Sequence, residues 1–288
     1  SVEDRFLFIE HHREHFEVRI MCRVLKVSVS GFYAWRKRPM SSREREDGEL
    51  TERIVEIFQT HRGVYGSPRI HAALQEEGIR VGRKRVVRLM QQVRLSAHCR
   101  THRVVTTRAN PRALAAENVL NREFEAEQPN QKWGASVTYI GTASGWLYLA
   151  VVLDLFSRRV VGWAMAATFD ETLVEQALSM ALTHRKPGAG LLHHSDRGCQ
   201  YTSEAYQSFL QKHGLQISMS RKGNCWDNAV IERFFGTLKR ECTSREHFKT
   251  HQEARTAIFE YMEAFYNRVR KHSTLGYLSP VQFEIVHS

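Results

Sequence analysis

The chain has 288 residues, of which 42% are hydrophobic and 25% charged, and its net charge is +11. These values are ordinary for a soluble globular protein and allow more than one domain. No apolar run reaches the roughly 20 residues that span a bilayer, and the five cysteines form no C-x-x-C pair, so we expect no membrane span, zinc knuckle or disulfide framework. Scattered cysteines and the lack of a visible signal peptide predict a protein of the reducing cytoplasm.

The positive charge is concentrated in one segment. Residues 61–112 hold twelve Lys or Arg against two acids, which accounts for +10 of the total. A basic block this local is typical of a protein that binds a polyanion. A solvated basic face would give the same count. A membrane surface is disfavoured because no strongly amphipathic basic helix with aromatic anchors appears.

Residues 1–45 form the first predicted domain, an N-terminal helical segment. The run VSVSG at 27–31 interrupts the helical pattern, so we expect two short helices around a tight turn. This segment fits either a small helix-turn-helix unit or a packing element.

Residues 46–110 are predicted to be a basic helix-turn-helix domain. Ser67 is expected to cap a first helix, which Gly78 ends, and a second helix should run from about Arg83 to Val93. The first helix has an apolar stripe, and so does the second. The cations of the second helix that we expect to reach DNA are Arg83, Lys84, Arg85 and Arg88.

The rest of the chain is predicted to be an acidic linker over 111–128 and a catalytic domain over 129–288. Three strand-like runs in series (WGASVTYI, WLYLAVVLD and RRVVGWAMA) indicate an antiparallel meander, and helices then alternate with two short strands. The resulting order, βββαβαβα, is that of a ribonuclease H-like α/β fold: a mixed five-stranded sheet with flanking helices, here preceded by the all-helical region. A helical tail should end the chain.

Two acids lie where chemistry is plausible. Asp196 follows the strand LLHHS, and Glu232 lies near the start of a helix that Asn228 could cap. Alone, each also fits an ordinary turn or helix-start acid. Converging, they would form a hard oxygen site suited to Mg²⁺ or Mn²⁺, and two such ions can drive phosphodiester chemistry. Lys239, seven positions after Glu232, lies on the same helix face and could meet a phosphate, although a plain surface lysine remains open.

Four long runs carry a family resemblance: HSDRGCQYTS (194–203), SMSRKGNCWDNAVIERFFGTLKRE (218–241), YNRVRKHSTLGYLSP (266–280) and DLFSRRVVGW (154–163). They resemble the transposases of the insertion sequence 3 family, bacterial relatives of retroviral integrases with a DDE site. MCRVLKVSVSGFYAW (21–35) and HRGVYGSPRI (61–70) resemble the family's N-terminal helical region.

The resemblance implies a DNA transposase that binds terminal inverted repeats and performs metal-dependent cleavage and strand transfer into target DNA. It implies Asp196 as the second acid and Glu232 as the third, a two-metal site in Asp-containing members, and a homo-oligomer on paired DNA ends. The matching product is usually the second reading frame of its element, so fusion or pairing with the upstream product is also implied.

The first acid of the family pattern is missing. The pattern runs Trp, two residues, Asp, Ile or Val, Thr, Tyr, and Ser136 stands at the aspartate's place. Pairing the first two strands would put Ser136 opposite Val151 or Val152, which leaves Asp154 two or three rungs away and disfavours it as a substitute. A deliberate inactivating substitution and a decayed copy of the element both remain open.

The sequence therefore predicts a transposase that binds DNA and assembles but is catalytically impaired. A non-catalytic DNA-binding regulator, such as a repressor of transposition, is the alternative, and a ribonuclease acting on hybrids is disfavoured by the basic helical region. We expect the loop before the Glu232 helix to touch DNA, although Trp226 could instead plug the core. The residues expected to do so are Arg221, Lys222, Asn224, Trp226 and Asn228.

Some neighbours of these residues are expected to be structural. His193 and His194 are predicted to be strand-end residues rather than metal ligands. Phe234, Phe235 and Leu238 should face the core.

Overall fold

The computed structural model describes residues 1–38, 41–97, 116–222 and 224–288. The parts of the predicted basic segment and linker that fall at 98–115 lie outside these ranges. Within them, no helix is both long enough and apolar enough to cross a membrane.

The N-terminal segment contains three helices, not the two that the sequence predicts. They are α1 (Val2–His12), α2 (Val18–Val24) and α3 (Val29–Lys37). The expected break at 27–31 is shorter than predicted because the Ser28 hydroxyl accepts a hydrogen bond from the Gly31 amide at 2.8 Å and starts α3 at Val29. These helices share a small core of their own, formed by Phe6, Ile9, Met21, Cys22 and Phe32.

The next three helices are α4 (Ser42–Thr60), α5 (Ser67–Glu76) and α6 (Arg83–Gln92). The predicted helix pair and the apolar stripes are confirmed, because α5 and α6 bury them, whereas Val93 is 39% exposed. Gly78 adopts a left-handed φ of +80° just after α5, as expected of a helix end. The predicted Ser67 cap is wrong: Gly66 is the N-cap, and Ser67 already belongs to the helix. The predicted domain boundary at 45/46 falls inside α4.

Five strands form one mixed sheet in the order β3-β2-β1-β4-β5. The first three pair antiparallel, whereas β4 pairs parallel with β1 and with β5, so the predicted fold class is confirmed. The strands are β1 (Lys132–Thr142), β2 (Gly145–Asp154), β3 (Val160–Ala166), β4 (Leu192–Ser195) and β5 (Gln216–Met219).

Helices cover both faces of the sheet. One face packs against α7 (Glu171–Arg185) and α8 (Glu204–Lys212), and the other against α9 (Ala229–Leu238) and α10 (His251–Phe259). A π-helical turn, Lys239–Thr243, continues α9, and another, Glu260–Tyr266, continues α10. A 3₁₀ turn (Ser273–Leu275) and α11 (Pro280–His287) follow.

A glycine lets α7 lie close to the sheet. A Cβ atom at Gly162 would lie 2.2 Å from the Ala177 carbonyl oxygen and 2.7 Å from the Ala181 Cβ. Only glycine fits β3 at this contact without displacing the helix.

The helical region and the α9 face of the sheet share one hydrophobic core. Apolar residues of α4, α5 and α6 belong to the same buried cluster as those of β1, β2, α9 and α10. Across this junction Tyr65 donates a hydrogen bond to the Val269 carbonyl at 3.2 Å, and Arg69 donates one to the Lys271 carbonyl at 2.9 Å. The described part of the predicted linker also packs on the sheet, because the Leu120 amide donates to Ser218 Oγ at 3.0 Å.

Candidate active site

Ser136 and Asp196 lie side by side at the centre of the sheet. β1 and β4 run parallel, with Ala135 paired to Ser195, so Ser136 and Asp196 are the next positions on adjacent chains, where strands lie about 4.8 Å apart. The Ser136 side chain is buried, and its β2 partner is Val151, which belongs to the core on the α9 side.

Helix α9 brings Glu232 over the same strand ends. The helix lies close to β1 because Gly134 has no side chain: a Cβ atom at Gly134 would lie 3.1 Å from the Ile231 Cγ1 atom. Asn228 is the N-cap residue of α9, but its side chain makes no capping hydrogen bond, which corrects the predicted cap. The preceding 3₁₀ turn, Cys225–Asn228, leads into the helix instead.

Electrostatic coupling places Asp196, Glu232 and Lys239 together. Burial raises the pKa of Asp196, although a 2.8 Å hydrogen bond from the Gly198 amide opposes the shift. The Glu232 side chain is exposed, but the protein around it displaces enough water to raise its pKa; the Asp196 charge raises it further, and Lys239 opposes that rise. The Lys239 ammonium also lies over the Tyr139 ring, 5.3 Å from its centroid.

The donor set suits a divalent cation only in part. Two carboxylates that repel one another are hard oxygen ligands, and a cation between them would relieve that repulsion. Within the described ranges, however, no group of three or more His, Cys, Asp or Glu side chains could hold a metal. Ser136 adds only a neutral hydroxyl, so the residues fit one cation better than two.

Asp154 cannot replace the missing carboxylate. It pairs with Trp133, three rungs from the Ser136–Val151 pair, so the register expected from the sequence is confirmed. Its buried carboxylate accepts hydrogen bonds from the amides of Asn130 and Phe156 at 2.8 and 2.9 Å. Asp154 therefore holds the end of β2 in place.

A cavity of about 510 Å³ opens beside Asp196. Its aromatic lining includes Tyr139 and Trp146, whose rings meet edge to face with centroids 4.8 Å apart, and Phe169, which stacks on Tyr148. The cleft is not visible in the sequence, because its residues come from separate stretches of the chain. The sequence feature that could have revealed it is a set of aromatic residues in the β1–β2 hairpin and before α7, several of which are exposed.

The loop before α9 is tied down by a buried acid. Asp227 accepts hydrogen bonds from Arg221 through Nε at 2.9 Å and Nη2 at 2.7 Å, and one from Arg122 Nε at 2.9 Å. The Arg221 guanidinium therefore pairs with protein while half of its side chain stays exposed, and its contact with DNA stays a prediction. Trp226 is 68% exposed, so the alternative of a core plug is wrong.

The other expected DNA contacts in this loop differ in exposure. Lys222 is exposed, Asn224 accepts the Trp226 amide at 3.2 Å, and Asn228 is buried. Lys222 and Trp226 therefore remain free to meet a ligand, whereas Asn224 and Asn228 shape the turn.

Two of the four cations predicted on α6 bind protein acids. Arg85 and Arg88 each contact Asp47 of α4 at 2.6 Å. Arg83 and Lys84 are exposed, and neither has an ion pair within the described ranges. The start of α6 is thus the part of this helix that is open to a polyanion.

The predicted structural residues near the site are confirmed. His193 and His194 are buried in β4, and His194 contacts the hydroxyls of Ser218 at 2.8 Å and Ser220 at 3.2 Å. The aromatic and leucine side chains of α9 face the core as expected: Phe234, Phe235 and Leu238.

Family models match most of the chain. Two models described as integrase core domain match residues 126–225 and 213–280, and one described as HTH-like domain matches residues 44–103. The chain is 42% identical over 283 residues to the transposase InsF for insertion sequence IS3A of Escherichia coli strain K12, covering 97% of this chain and 98% of the relative. The chain belongs to the insertion sequence 3 family of transposases.

Other relatives of the transposase are more loosely described or more distant. It is 44% identical over 263 residues to the insertion element IS600 uncharacterized 31 kDa protein of Shigella sonnei, which covers 91% of this chain and 97% of that one. Among solved structures, the simian T-cell lymphotropic virus intasome in complex with PP2A regulatory subunit B56 gamma has 17% identity and a TM-score of 0.47, over 75% of this chain and 70% of that one.

Proposed function

We propose that this transposase binds the terminal inverted repeats of its element and acts on DNA at the site formed by residue 136, Asp196 and Glu232. The observation that carries the proposal is the meeting of these positions: Ser136 and Asp196 follow a shared parallel register, and the Asp196 charge acts on Glu232. By family the reaction is polynucleotidyl transfer, that is, cleavage at the element ends and joining to target DNA.

Asp196 and Glu232 are the residues that would hold a divalent cation, Mg²⁺ or Mn²⁺. When bound, such an ion supplies Lewis-acid stabilisation of charge on a reacting phosphate. Lys239 would bind a phosphate oxygen of the DNA, and its contact with the Tyr139 ring orients the ammonium. Trp226 and the aromatic cleft would contact bases near that phosphate.

We infer that this chain is catalytically impaired because Ser136 supplies no charge to the cation site. A loss of about 4 kcal/mol of transition-state stabilisation slows a reaction roughly a thousandfold. The third carboxylate and a second cation belong to family members that carry aspartate at this position.

The missing acid also supports a second candidate, a non-catalytic DNA-binding regulator such as a repressor of transposition. The exposed cations at the start of α6 would serve binding without chemistry. Retention of Asp196, Glu232 and Lys239 in one cluster counts against it, because a pure binder needs none of them.

Strand transfer tests the function. With Mg²⁺ or Mn²⁺ and duplex DNA that carries the element ends, we expect Ser136→Asp to exceed the unchanged chain by about a thousandfold. Ser136→Asn is the matched control, since it has similar size without the charge and should stay inactive. Full activity of the unchanged chain would contradict the impairment. If the unchanged chain and Ser136→Asp are both inactive, and if Asp196→Ala keeps the biological effect of the protein, the results would favour the regulator.

The oligomeric state, the partners and the location of the protein are proposals as well. We expect a homo-oligomer that holds two DNA ends, fusion or pairing with the product of an upstream reading frame, and a cytoplasmic, nucleoid-associated location. The HTH-like match and the local basic charge support a DNA partner.

A further inference from the structure

A second cavity, of about 210 Å³, lies on the flank of α9, the helix that carries Glu232. It lies where α5, the turn between β2 and β3, α9 and the stretch after α10 meet. We call it the arginine cavity, and its defining residues are Arg158, Arg233, Arg240, Arg270, Ser273 and Thr274.

Most of the positive charge around the arginine cavity has no protein counter-charge. Glu241 pairs with Arg270 through two hydrogen bonds of 2.6 Å, so that arginine is neutralised. Arg158, Arg233 and Arg240 have no carboxylate within ion-pair distance among the residues that the structure describes. Three cations therefore face one small space without an acid.

Arg158 is the clearest sign that an anion belongs there. Its Nη1 atom is buried and has no hydrogen-bond partner within the described ranges. A buried guanidinium nitrogen without a partner is unfavourable, because that N–H group has lost its hydration and gained no acceptor, although the Arg158 side chain as a whole is only half-buried. The residue also has a left-handed φ of +60°, a conformation that costs free energy in a non-glycine residue and directs this side chain from the β2–β3 turn.

The electrostatic field of the cavity agrees with this reading. The pKa of His272, which also lines the cavity, is held well below its usual value, first by burial and then by the charges of Arg270, Arg69 and Arg158. His272 is therefore neutral at pH 7. The positive charge that lowers its pKa comes from the arginines, which are the donors that the cavity offers to an anion. Guanidinium groups and hydroxyls are the donors that phosphate oxygens prefer.

The position of the cavity relates it to the reacting DNA. Arg233 and Arg240 repeat the seven-residue spacing of Glu232 and Lys239, displaced by one residue. One residue turns a helix by about 100°, and seven residues advance it by about 10.5 Å, so the two pairs form parallel rows along α9. A DNA strand held by the first row would pass the second.

We propose that the arginine cavity binds a backbone phosphate of the DNA on which the active site acts. This inference rests on the proposed function for the identity of the polyanion. The site itself rests on the unpaired arginines. It contributes affinity and register rather than base recognition, because a phosphate carries no sequence information.

Inorganic phosphate tests the site without DNA. In the full chain, 20 mM phosphate at constant ionic strength should raise the midpoint of thermal unfolding by about 3 °C relative to chloride. Arg158→Gln and Arg240→Gln should lose this shift. Arg19→Gln, which removes an exposed arginine of α2, should keep it. An equal shift in all four proteins would overturn the site.

Binding of a labelled duplex, followed by fluorescence anisotropy from 50 to 200 mM salt, tests the DNA source. Arg240→Gln should weaken binding of unrelated sequences alike and lower the slope of log affinity against log salt by about one. Arg19→Gln should leave that slope unchanged. If phosphate stabilises the chain but the slope does not change in Arg240→Gln, the cavity holds free phosphate and the DNA assignment is wrong.

The two failures can be told apart. If the unchanged chain binds no duplex, the proposed function fails while the phosphate shift still reports on the cavity. If the chain binds duplex normally and both cavity variants match Arg19→Gln in folding, phosphate response and salt slope, the inference alone fails.

Discussion

Asp196 and Glu232 lie close enough for the Asp196 charge to raise the pKa of Glu232, and loss of hydration raises the pKa of both, although Asp196 is only partly buried and Glu232 is exposed. Two such carboxylates, when both are ionised and no cation is bound, destabilise the folded protein. This arrangement is typical of sites where a ligand of opposite charge supplies the compensation. The carboxylates therefore cost stability in the absence of a cation.

This cost depends on pH with a definite sign. A carboxyl whose pKa is higher in the folded state binds more protons when folded, so stability falls as pH rises from the unfolded pKa through the folded pKa. We expect Asp196→Asn to raise the free energy of unfolding at pH 7 by about 1 kcal/mol without divalent cations. The gain should shrink as pH falls through the folded pKa and should be gone near the unfolded pKa of about 4. Urea unfolding measures it.

The control for that measurement is Glu14→Gln, which removes an exposed acid far from the site in sequence. The effect of Glu14→Gln on the free energy of unfolding should be small both at pH 7 and near pH 4. A less stable Asp196→Asn protein at pH 7 would show that the carboxylate serves packing rather than a ligand.

At the level of elements, the loop before α9 depends on Asp227. The carboxylate is buried and accepts hydrogen bonds from Arg221, Arg122 and the Asn118 amide group, at 2.7 to 2.9 Å. These donors, Arg221 first, hold the pKa of Asp227 well below its usual range. Its stabilisation is present above the unfolded pKa and is lost as pH falls towards the folded value.

We expect Asp227→Asn to lower the free energy of unfolding by about 2 kcal/mol at pH 7, because charge-assisted hydrogen bonds are lost inside the protein. Amide hydrogen exchange should become faster at residues 220–228 while α7 keeps its protection. Glu123→Gln, which removes an exposed acid from the segment before β1, is the control. Unchanged exchange in the loop would mean that Asp227 does not hold it.

The strands and main helices could be predicted because local patterns determine them. The apolar runs of β1 to β3 and the apolar stripes of α5 and α6 mark buried segments, and these segments are buried in the fold. The third N-terminal helix was missed because the chain also breaks at 13–17, between α1 and α2, where the sequence has neither glycine nor proline to mark a helix end. The Ser67 cap was misplaced by one residue, a common error at helix ends.

Partners of charged residues could not be predicted. Arg85 and Arg88 look free in the sequence, but Asp47 lies about forty positions earlier and meets them only when α4 packs on α6. Arg221 likewise pairs with an acid that the loop folds inward. The seven-residue spacing of Glu232 and Lys239, by contrast, is visible in the sequence, and Arg233 and Arg240 repeat it one position later.

At the scale of the whole molecule, three separate stretches meet at one point. β1 carries Ser136, the end of β4 carries Asp196, and α9 carries Glu232 across the strand ends, close to β1 at Gly134. The HTH-like region packs on the same side through a shared core. The central claim is that residue 136 is the third corner of this acidic site.

Mn²⁺ binding, followed by electron paramagnetic resonance on the full chain, tests that claim most directly. We expect the unchanged chain to bind Mn²⁺ weakly, Ser136→Asp to bind it at least about tenfold more tightly, and Asp196→Asn to lose binding, because affinity follows ligand charge. Equal Mn²⁺ affinity of the unchanged chain and Ser136→Asp, with both proteins folded, would contradict the account.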